Sequence, residues 1–433
     1  MRAESGARGE QCTMLIRRKA FLSLMPGLAA AACAAARADA PTIAMPSDRP
    51  SGPDDEVFWA KVAAQYDRQD FINLENGFFT RAARPVLAAH TRHRDEINRR
   101  GAHYMRTDLE SRMEHVRTRL AAFAGVPAGE LALVRNTTEA MNIVLQGLPW
   151  QPGDEIVMSN QDYDTMVGIL QTLVRRHGVV LREVALPEQP TRDSSVIDAY
   201  LQHVGPRTRL ALVTQVIHLT GQVVPVRPLA AALRERGVKV LIDGAHAFAQ
   251  LPFTIAELGG DFFAASLHKW LGAPLGNGLL WMRGDQIAGI EPLFADVIRA
   301  NDDIRRFEHI GTRPAHDVEA ILDAIDFHEQ LGAAQKYARL LYLRQRWVQA
   351  LAEHPRVRLR SPLDDARSCA IATVAVDGLG PTALQQALWE HHRIYTVAIE
   401  HPAIQGVRVT VHPANAVAEV DRLADALREL SSR

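Results

Sequence analysis

Cysteine is nearly missing from this chain: Cys12, Cys33 and Cys369 are the three among 433 residues. They give neither a disulfide framework nor a metal-ligand spacing, which disfavours cysteine redox chemistry. An excess of charge is missing as well, because 49 basic and 50 acidic side chains leave a net charge of −1. With both signs spread along the sequence there is no electrostatic footprint for nucleic acid, and the expected partner is a small molecule. No apolar run is long enough for a convincing membrane span. HExxH and GxGxxG patterns are absent, so no metal is expected and a dinucleotide is disfavoured. No internal repeat is visible. What remains, 47% hydrophobic and 23% charged, is an ordinary globular composition with length for one large and one smaller domain.

The first residues read as a targeting segment. Arg17-Arg18-Lys19-Ala20-Phe21-Leu22 precedes an Ala-rich apolar run to about Ala36, followed by the small-x-small sequence Ala36-Arg37-Ala38. This is the layout of an export signal peptide over residues 1–38. The paired basic residues before Phe-Leu resemble a twin-arginine signal, in best register when Arg18-Lys19 is the pair. The twin-arginine export machinery carries folded proteins, so the expected location is periplasmic or secreted, after folding in the cytoplasm. Met14 is an alternative start, and a lipobox at Cys33 an alternative signal in which Ala30 replaces the usual Leu. Residues 39–56, with Pro, Ser and Asp prominent, read as a linker.

Residues 57–108 form an N-terminal segment of helical spacing, interrupted by "FINLENGFFTRAARP", an extended piece with a Gly turn and a Pro-started helix. From 109 to 320, short apolar runs alternate with amphipathic helical stretches. The runs Leu131–Val134, Glu155–Met158, Arg209–Val213 and Val238–Ile242 lack polar alternation, as strands buried on both faces do. The fold class is therefore α/β, with a mostly parallel sheet covered by helices. A long helical stretch from about Ala315 to Leu351 leads into a smaller α/β C-terminal domain, 321–433. It has "AIATVAVDG" and "GVRVTVH" as strands and "AVAEVDRLADALREL" as the closing helix.

One stretch poses a chemical question. In "ASLHKWLG", Lys269 follows the apolar run Asp261-Phe262-Phe263-Ala264. A lysine there must snorkel to water, pair with an acid, or lose its charge by desolvation, and the last outcome makes an amine nucleophile. In open α/β sheets ligands bind beyond the carboxyl ends of the strands, where three other features fall. After "LALV", Thr137 and Thr138 offer hydroxyls and backbone N–H groups at a helix start, an anion site suited to a phosphate. After "VKVLI" stands Asp243, costly to ionise when buried unless it meets a cation or hydrogen-bond donors. "TQVIHLTGQVVPV" runs into His218 and a Thr220-Gly221 turn. A phosphate cradle, a buried Asp and a desolvated Lys are together what pyridoxal 5′-phosphate needs.

Over about residues 73–430 the chain resembles the class V aminotransferases of fold type I, a group that includes isopenicillin-N epimerase-like proteins and cysteine desulfurases. "NTTEAMN", "DGAHA", "SLHKWLG" and "FEHIGTRP" carry the resemblance. It implies a fold type I transferase architecture with Lys269 forming a Schiff base to the cofactor and Asp243 pairing with the pyridinium. It further implies Thr137, Thr138, Ser266 and His268 at the phosphate, His246 against the cofactor, His218 near the ring hydroxyl, and Tyr163 stacked on the ring. Gly311 and Thr312 would reach the phosphate from a neighbouring subunit, making the active unit a homodimer. Arg408 would hold the substrate α-carboxylate, with Arg313, Asn73, Glu75 and Asn76 also facing the substrate. The loop "YTVAIEHPAIQG" lacks the mobile Cys of the desulfurases, and Cys369, at a strand entry, reads as a small buried hydrophobe. His90, His93, His103 and His115 read as solvated residues of polar helix faces. The expected activity is Cα deprotonation of an amino-acid substrate in an epimerase- or racemase-like reaction. An aminotransferase or C–S lyase of the same fold is the alternative, and a non-enzymatic exported α/β binding protein a distant one.

Overall fold

Strand β1 (Ile72–Asn73) opens the sheet structure of the chain, and seven strands, most of them buried apolar runs, then build its central sheet. They are β2 (Leu131–Val134), β3 (Glu155–Ser159), β4 (Val180–Val184), β5 (Thr208–Thr214), β6 (Lys239–Asp243), β7 (Phe262–Ser266) and β8 (Gly278–Met282). Every residue of β2, β3, β7 and β8 is buried, as the unbroken apolar spelling requires when helices cover both faces. The computed structural model describes residues 49–432. The expected export signal, and the linker up to residue 48, lie outside the described residues.

The spatial order is β2-β8-β7-β6-β5-β3-β4. Neighbours β7, β6, β5, β3 and β4 run parallel, while β8 is antiparallel to both β7 and β2. Inverting β8 alone leaves the other six strands pointing one way, so their carboxyl ends share an edge. Register aligns those ends: Asp243 pairs with Thr214 and Ala264, and Gly278 with both Ser266 and Val134. Gly278 is required by a close approach, since a Cβ there would fall 2.6 Å from Asn136 Cα and 2.9 Å from the Ala265 carbonyl oxygen. The outermost strand, β4, exposes Arg182 and Glu183, charges that blunt a free sheet edge.

A second, antiparallel sheet is ordered β12-β13-β10-β9, from β9 (Val357–Leu359), β10 (Ile371–Val376), β12 (Val397–Glu400) and β13 (Gln405–Thr410). Between them β11 (Ile394–Tyr395) pairs in parallel with β1, and Glu75 bridges to Thr410. The N-terminal segment is thereby laid along the C-terminal strands. The helix Val417–Ser432 closes the chain.

The four apolar runs marked in the sequence are β2, β3, β5 and β6. The run before Lys269 becomes β7, and β4 and β8 were not singled out. The long helical stretch is two helices, Ala315–Leu331 and Ala333–Leu351, because Gly332 between them takes a left-handed φ of 84°. The boundary expected at residue 320 falls inside the first of them. At the end of the segment read as a linker, Pro53 O accepts from Arg339 and Gly52 O from the Trp59 indole, so residues 52–53 are bonded to the body.

The histidine expectation is corrected for two of four. His103 and His115 are exposed, but His90 and His93 lie where the Arg84–Arg100 helix meets Ala315–Leu331. His90 Nε2 lies 2.6 Å from Asp317 Oδ1, and His93 bonds Asp323 at 3.0 Å and Glu319 at 3.3 Å. Burial works against the charged imidazole of His93, yet the hydrogen bonds from Asp323 and Glu319 prevail and lift it to about 9. A polar helix stripe is also what a buried face looks like when the opposing helix supplies acids. Among the described residues, no helix is long and apolar enough to cross a membrane.

Candidate active site

A cavity of about 300 Å³ opens at the shared carboxyl edge of the central sheet. Its wall takes Thr137 and Thr138 from the helix after β2, Tyr163 after β3, Thr214 and His218 from the end of β5, and Asp243 and His246 from the end of β6. Ser266, His268 and Lys269 come from the end of β7, and Arg408 from β13. Ten positions singled out in the sequence thus meet at one place: Thr137, Thr138, Tyr163, His218, Asp243, His246, Ser266, His268, Lys269 and Arg408.

Lys269 stands in the turn that follows β7. The turn is pinned by buried Trp270, whose carbonyl accepts from the buried ammonium of Lys336. Lys269 Nζ lies 3.2 Å from His246 Nε2. Burial lowers its pKa to about 8, with the Arg408 charge adding to the effect and Asp243 and Glu75 opposing it. Asp243 is buried at the end of β6, where Oδ1 accepts from Ala245 N at 2.8 Å. Burial pushes its pKa up, against that hydrogen bond and the attraction of Lys269. Among the described residues Asp243 makes no direct ion pair.

The three histidines are held neutral. Burial, reinforced by neighbouring cations, lowers His218 to about 3, His268 to about 4, and His246 well below the usual range. Neutral His246 can therefore accept from the Lys269 ammonium. The Nδ1 atoms of His218, His246 and His268 are all buried without a hydrogen-bond partner. Tyr163 meets His218 edge to face, with centroids 5.4 Å apart.

The helix start is prepared for an anion. Asn136 Oδ1 accepts from Glu139 N at 2.9 Å, and Ser266 Oγ from Thr137 N at 2.9 Å. Among the hydrogen bonds of the described residues none engages Thr138 N–H, which is left with the positive end of the helix on the cavity wall. Ser266 lines the cavity, and its hydroxyl also meets Thr137, whose Oγ1 is 2.8 Å away. It ties the end of β7 to the helix start.

On the opposite wall Arg408 Nη2 lies 2.7 Å from Glu75 Oε1, and Nη1 donates to His218 O at 3.2 Å. Both partners are buried, and Glu75 Oε2 has no partner.

Six expected positions, Asn73, Glu75, Asn76, Gly311, Thr312 and Arg313, do not line this cavity, although Glu75 touches its wall through Arg408. Arg313 donates to the carbonyls of Leu133 and Glu308, so the expectation that it faces the substrate is corrected: it fastens the loop before the Ala315–Leu331 helix to β2. The Asn76 amide spans to Thr410 O at 2.9 Å and secures the N-terminal segment against β13. Thr312 is exposed on a loop outside the cavity of its own chain.

Sequence reasoning missed Asn136, Thr214, Gly77, Phe78, Met166 and Ala245 among the lining, and the buried Asp162 behind it. Asp162 Oδ1 accepts from Thr214 Oγ1 at 2.7 Å, and burial raises its carboxyl to about 7. A signal was available: "SNQDYD" places a carboxylate just past the end of an apolar strand, near where "LIDG" places one at a strand's last residue.

The residues fit pyridoxal phosphate on their own evidence. A buried carboxylate without a cation partner suits a protonated ring nitrogen, unpartnered imidazole nitrogens suit a polar ring, and an open helix start suits a phosphate.

The aminotransferase class-V family model matches residues 81–423. Isopenicillin N epimerase of Streptomyces clavuligerus is 29% identical over 377 residues, covering 83% of this chain and 95% of that protein. Isopenicillin N epimerase of Amycolatopsis lactamdurans is 32% identical over 336 residues, covering 73% of this chain and 84% of that protein. Among solved structures, the complex between the cystine C–S lyase C-DES and its reaction product cysteine persulfide is similar at a TM-score of 0.75. Its sequence identity is 25%, over 83% of this chain and 97% of that one. Fold and site define a pyridoxal-phosphate-dependent enzyme of fold type I. Within that class, the chain belongs to the aminotransferase class-V family.

The lowered pKa of Lys269 has a thermodynamic consequence in cofactor-free protein. Between about pH 8 and 10.5 the unfolded chain holds more protons on this amine than the folded chain. The destabilisation is therefore full below pH 8 and fades as pH rises to 10.5. Lys269→Met, which keeps the shape, is expected to raise cofactor-free stability by about 3 kcal/mol at pH 7, with little gain remaining near pH 10.5. Chemical denaturation across that range checks it, and a gain independent of pH would contradict desolvation as the cause.

Proposed function

We propose that the enzyme is epimerase- or racemase-like, with Lys269 removing the Cα proton of an amino acid or amino-acid-containing substrate and a proton returning with inverted configuration. The observation that carries this reading is a buried amine of lowered proton affinity, 3.2 Å from a neutral imidazole and in the field of Asp243. The two isopenicillin N epimerases support the epimerase direction. When bound, pyridoxal phosphate supplies an electron sink that acidifies the Cα–H bond of an attached amino acid. Lys269 would hold it covalently and Asp243 its ring nitrogen, with Tyr163, His218 and His246 around the ring. Thr137, Thr138, Ser266 and His268 would take the phosphate.

The chain's own groups divide the work by charge. A fall from the usual 10.5 to about 8 raises the neutral fraction of Lys269 at pH 7 by roughly 300-fold, which suits a general base. His246 Nε2 orients that amine by accepting one of its protons. Arg408 presents a planar fork to a substrate carboxylate, for which Glu75 is the present occupant. The second reading is C–S bond cleavage, favoured by the likeness to the cystine C–S lyase. A persulfide carried on the protein is disfavoured because Cys369, the cysteine among the described residues, is fully buried, bonded to Gly221 O, and raised to about 12 by burial.

Incubation with a panel of L-amino acids in deuterated water separates the outcomes. Cα deuteration with appearance of the D-isomer is expected, and Lys269→Ala is expected to lower the rate by at least about 1,000-fold. Accumulating keto acid, or release of ammonia and sulfide, would replace the epimerase reading.

We also propose that the active unit is a homodimer in which the Gly311–Thr312 turn of one protomer reaches the site of the other. The exposure of Thr312, outside its own chain's cavity, supports this. Co-refolding inactive Lys269→Ala with inactive Thr312→Trp is expected to restore roughly a quarter of full activity, because each mixed dimer regains one intact site. A site complete within one chain would give no recovery.

Export by the twin-arginine route is proposed on Arg17-Arg18-Lys19 and the following apolar run. Replacing those three residues by glutamine is expected to hold the protein in the cytoplasm, read by fractionation. Unchanged export would remove the proposal.

A further inference from the structure

Away from the cavity, the contact between the Arg84–Arg100 and Ala315–Leu331 helices gathers a second set of groups with ligand chemistry. His90, His316 and Asp317 each offer one atom, and the three atoms lie within 4.8 Å of one another. His90 Nε2 is 2.6 Å from Asp317 Oδ1, and His316 Nε2 is 3.5 Å from the same oxygen. Tetrahedral zinc with bonds of about 2.0–2.1 Å places its ligand atoms about 3.3 Å apart, so the observed spacings bracket that value. The His90 and His316 rings face one another at 5.0 Å between centroids, tilted by 31°.

From these we infer a divalent transition-metal site formed by His90, His316 and Asp317, with zinc the best-suited ion. Two imidazoles and one carboxylate select zinc or its neighbours over magnesium or calcium, which prefer all-oxygen shells. The side chains of His90, Asp317 and His316 keep 26%, 21% and 27% of their surface exposed, so an ion can enter and water can complete its shell. Beside the triad, His93 is already engaged by Glu319 and Asp323. Asn277 Nδ2 donates to Asp317 O at 2.7 Å, holding the ligand-bearing turn to the segment that precedes β8. Such an ion would clamp two helices supplied by chain positions 227 residues apart, beside the loop that carries Thr312.

The test uses tag-free, cofactor-loaded protein and the metal alone. Calorimetric titration with zinc is expected to give one ion per chain at micromolar or tighter affinity. His316→Ala and His90→Ala are each expected to weaken binding at least tenfold while the cofactor absorbance is retained, and His115→Ala to leave it unchanged. Cobalt(II) bound to wild-type protein should show the visible bands of a four-coordinate site, and X-ray absorption of the zinc form should show two imidazole ligands. Those two measurements need no variant, so they decide the matter even where a substitution impairs folding. Absence of saturable binding up to about 100 µM, affinity unchanged in the His90→Ala/His316→Ala double variant, or a zinc shell without imidazole would each overturn the site.

Discussion

Keeping water from Asp243 and Lys269 is the constraint on which the rest of the site depends. An acid and an amine lie on adjacent strand ends in a low-dielectric wall, attracting one another without direct contact. In water neither would be unusual. Here burial raises one pKa and lowers the other, which brings their proton affinities closer together and makes both groups chemically useful. The same exclusion of solvent keeps three histidines neutral. The cavity thus offers uncharged nitrogen acceptors together with fixed charges of both signs, an arrangement that open solvent would erase.

The central sheet achieves this exclusion through topology. Because β8 alone is reversed, six strands discharge their following residues onto one edge, and Gly278 lets β8 approach the start of the helix after β2 closely. The sheet therefore sets positions, while the loops set chemistry. Ser266 and Thr137 form a small cross-link between the end of β7 and a helix start that Asn136 caps.

Strand ends were readable from the amino acids because a short unbroken apolar run that stops at polar residues is the spelling of a buried strand reaching the edge of its sheet. That is why Thr137, His218, Asp243 and Lys269 stand out in the linear chain. The likeness to a known family added Arg408, Tyr163 and His246, whose neighbours in space no local pattern discloses. The errors share a cause. Arg313 and Asn76 are near the site along the chain, but which way each turns is decided by a carbonyl on a distant strand, Leu133 or Thr410. His90 and His93 show polar periodicity, which is the same whether water or a facing row of acids satisfies it. Thr214 and Asp162 escaped notice because their meaning arises only when two strand ends are brought side by side.

The Arg408–Glu75 contact joins residues 333 positions apart, and Asn76 meets Thr410 across 334. One wall of the cavity is thus stitched from the two extremes of the described chain. While the polypeptide is still emerging from the ribosome, the central sheet can assemble, but this wall has no second half until the last strand is released. Capture of the cofactor in a closed cavity must consequently follow the release of β13.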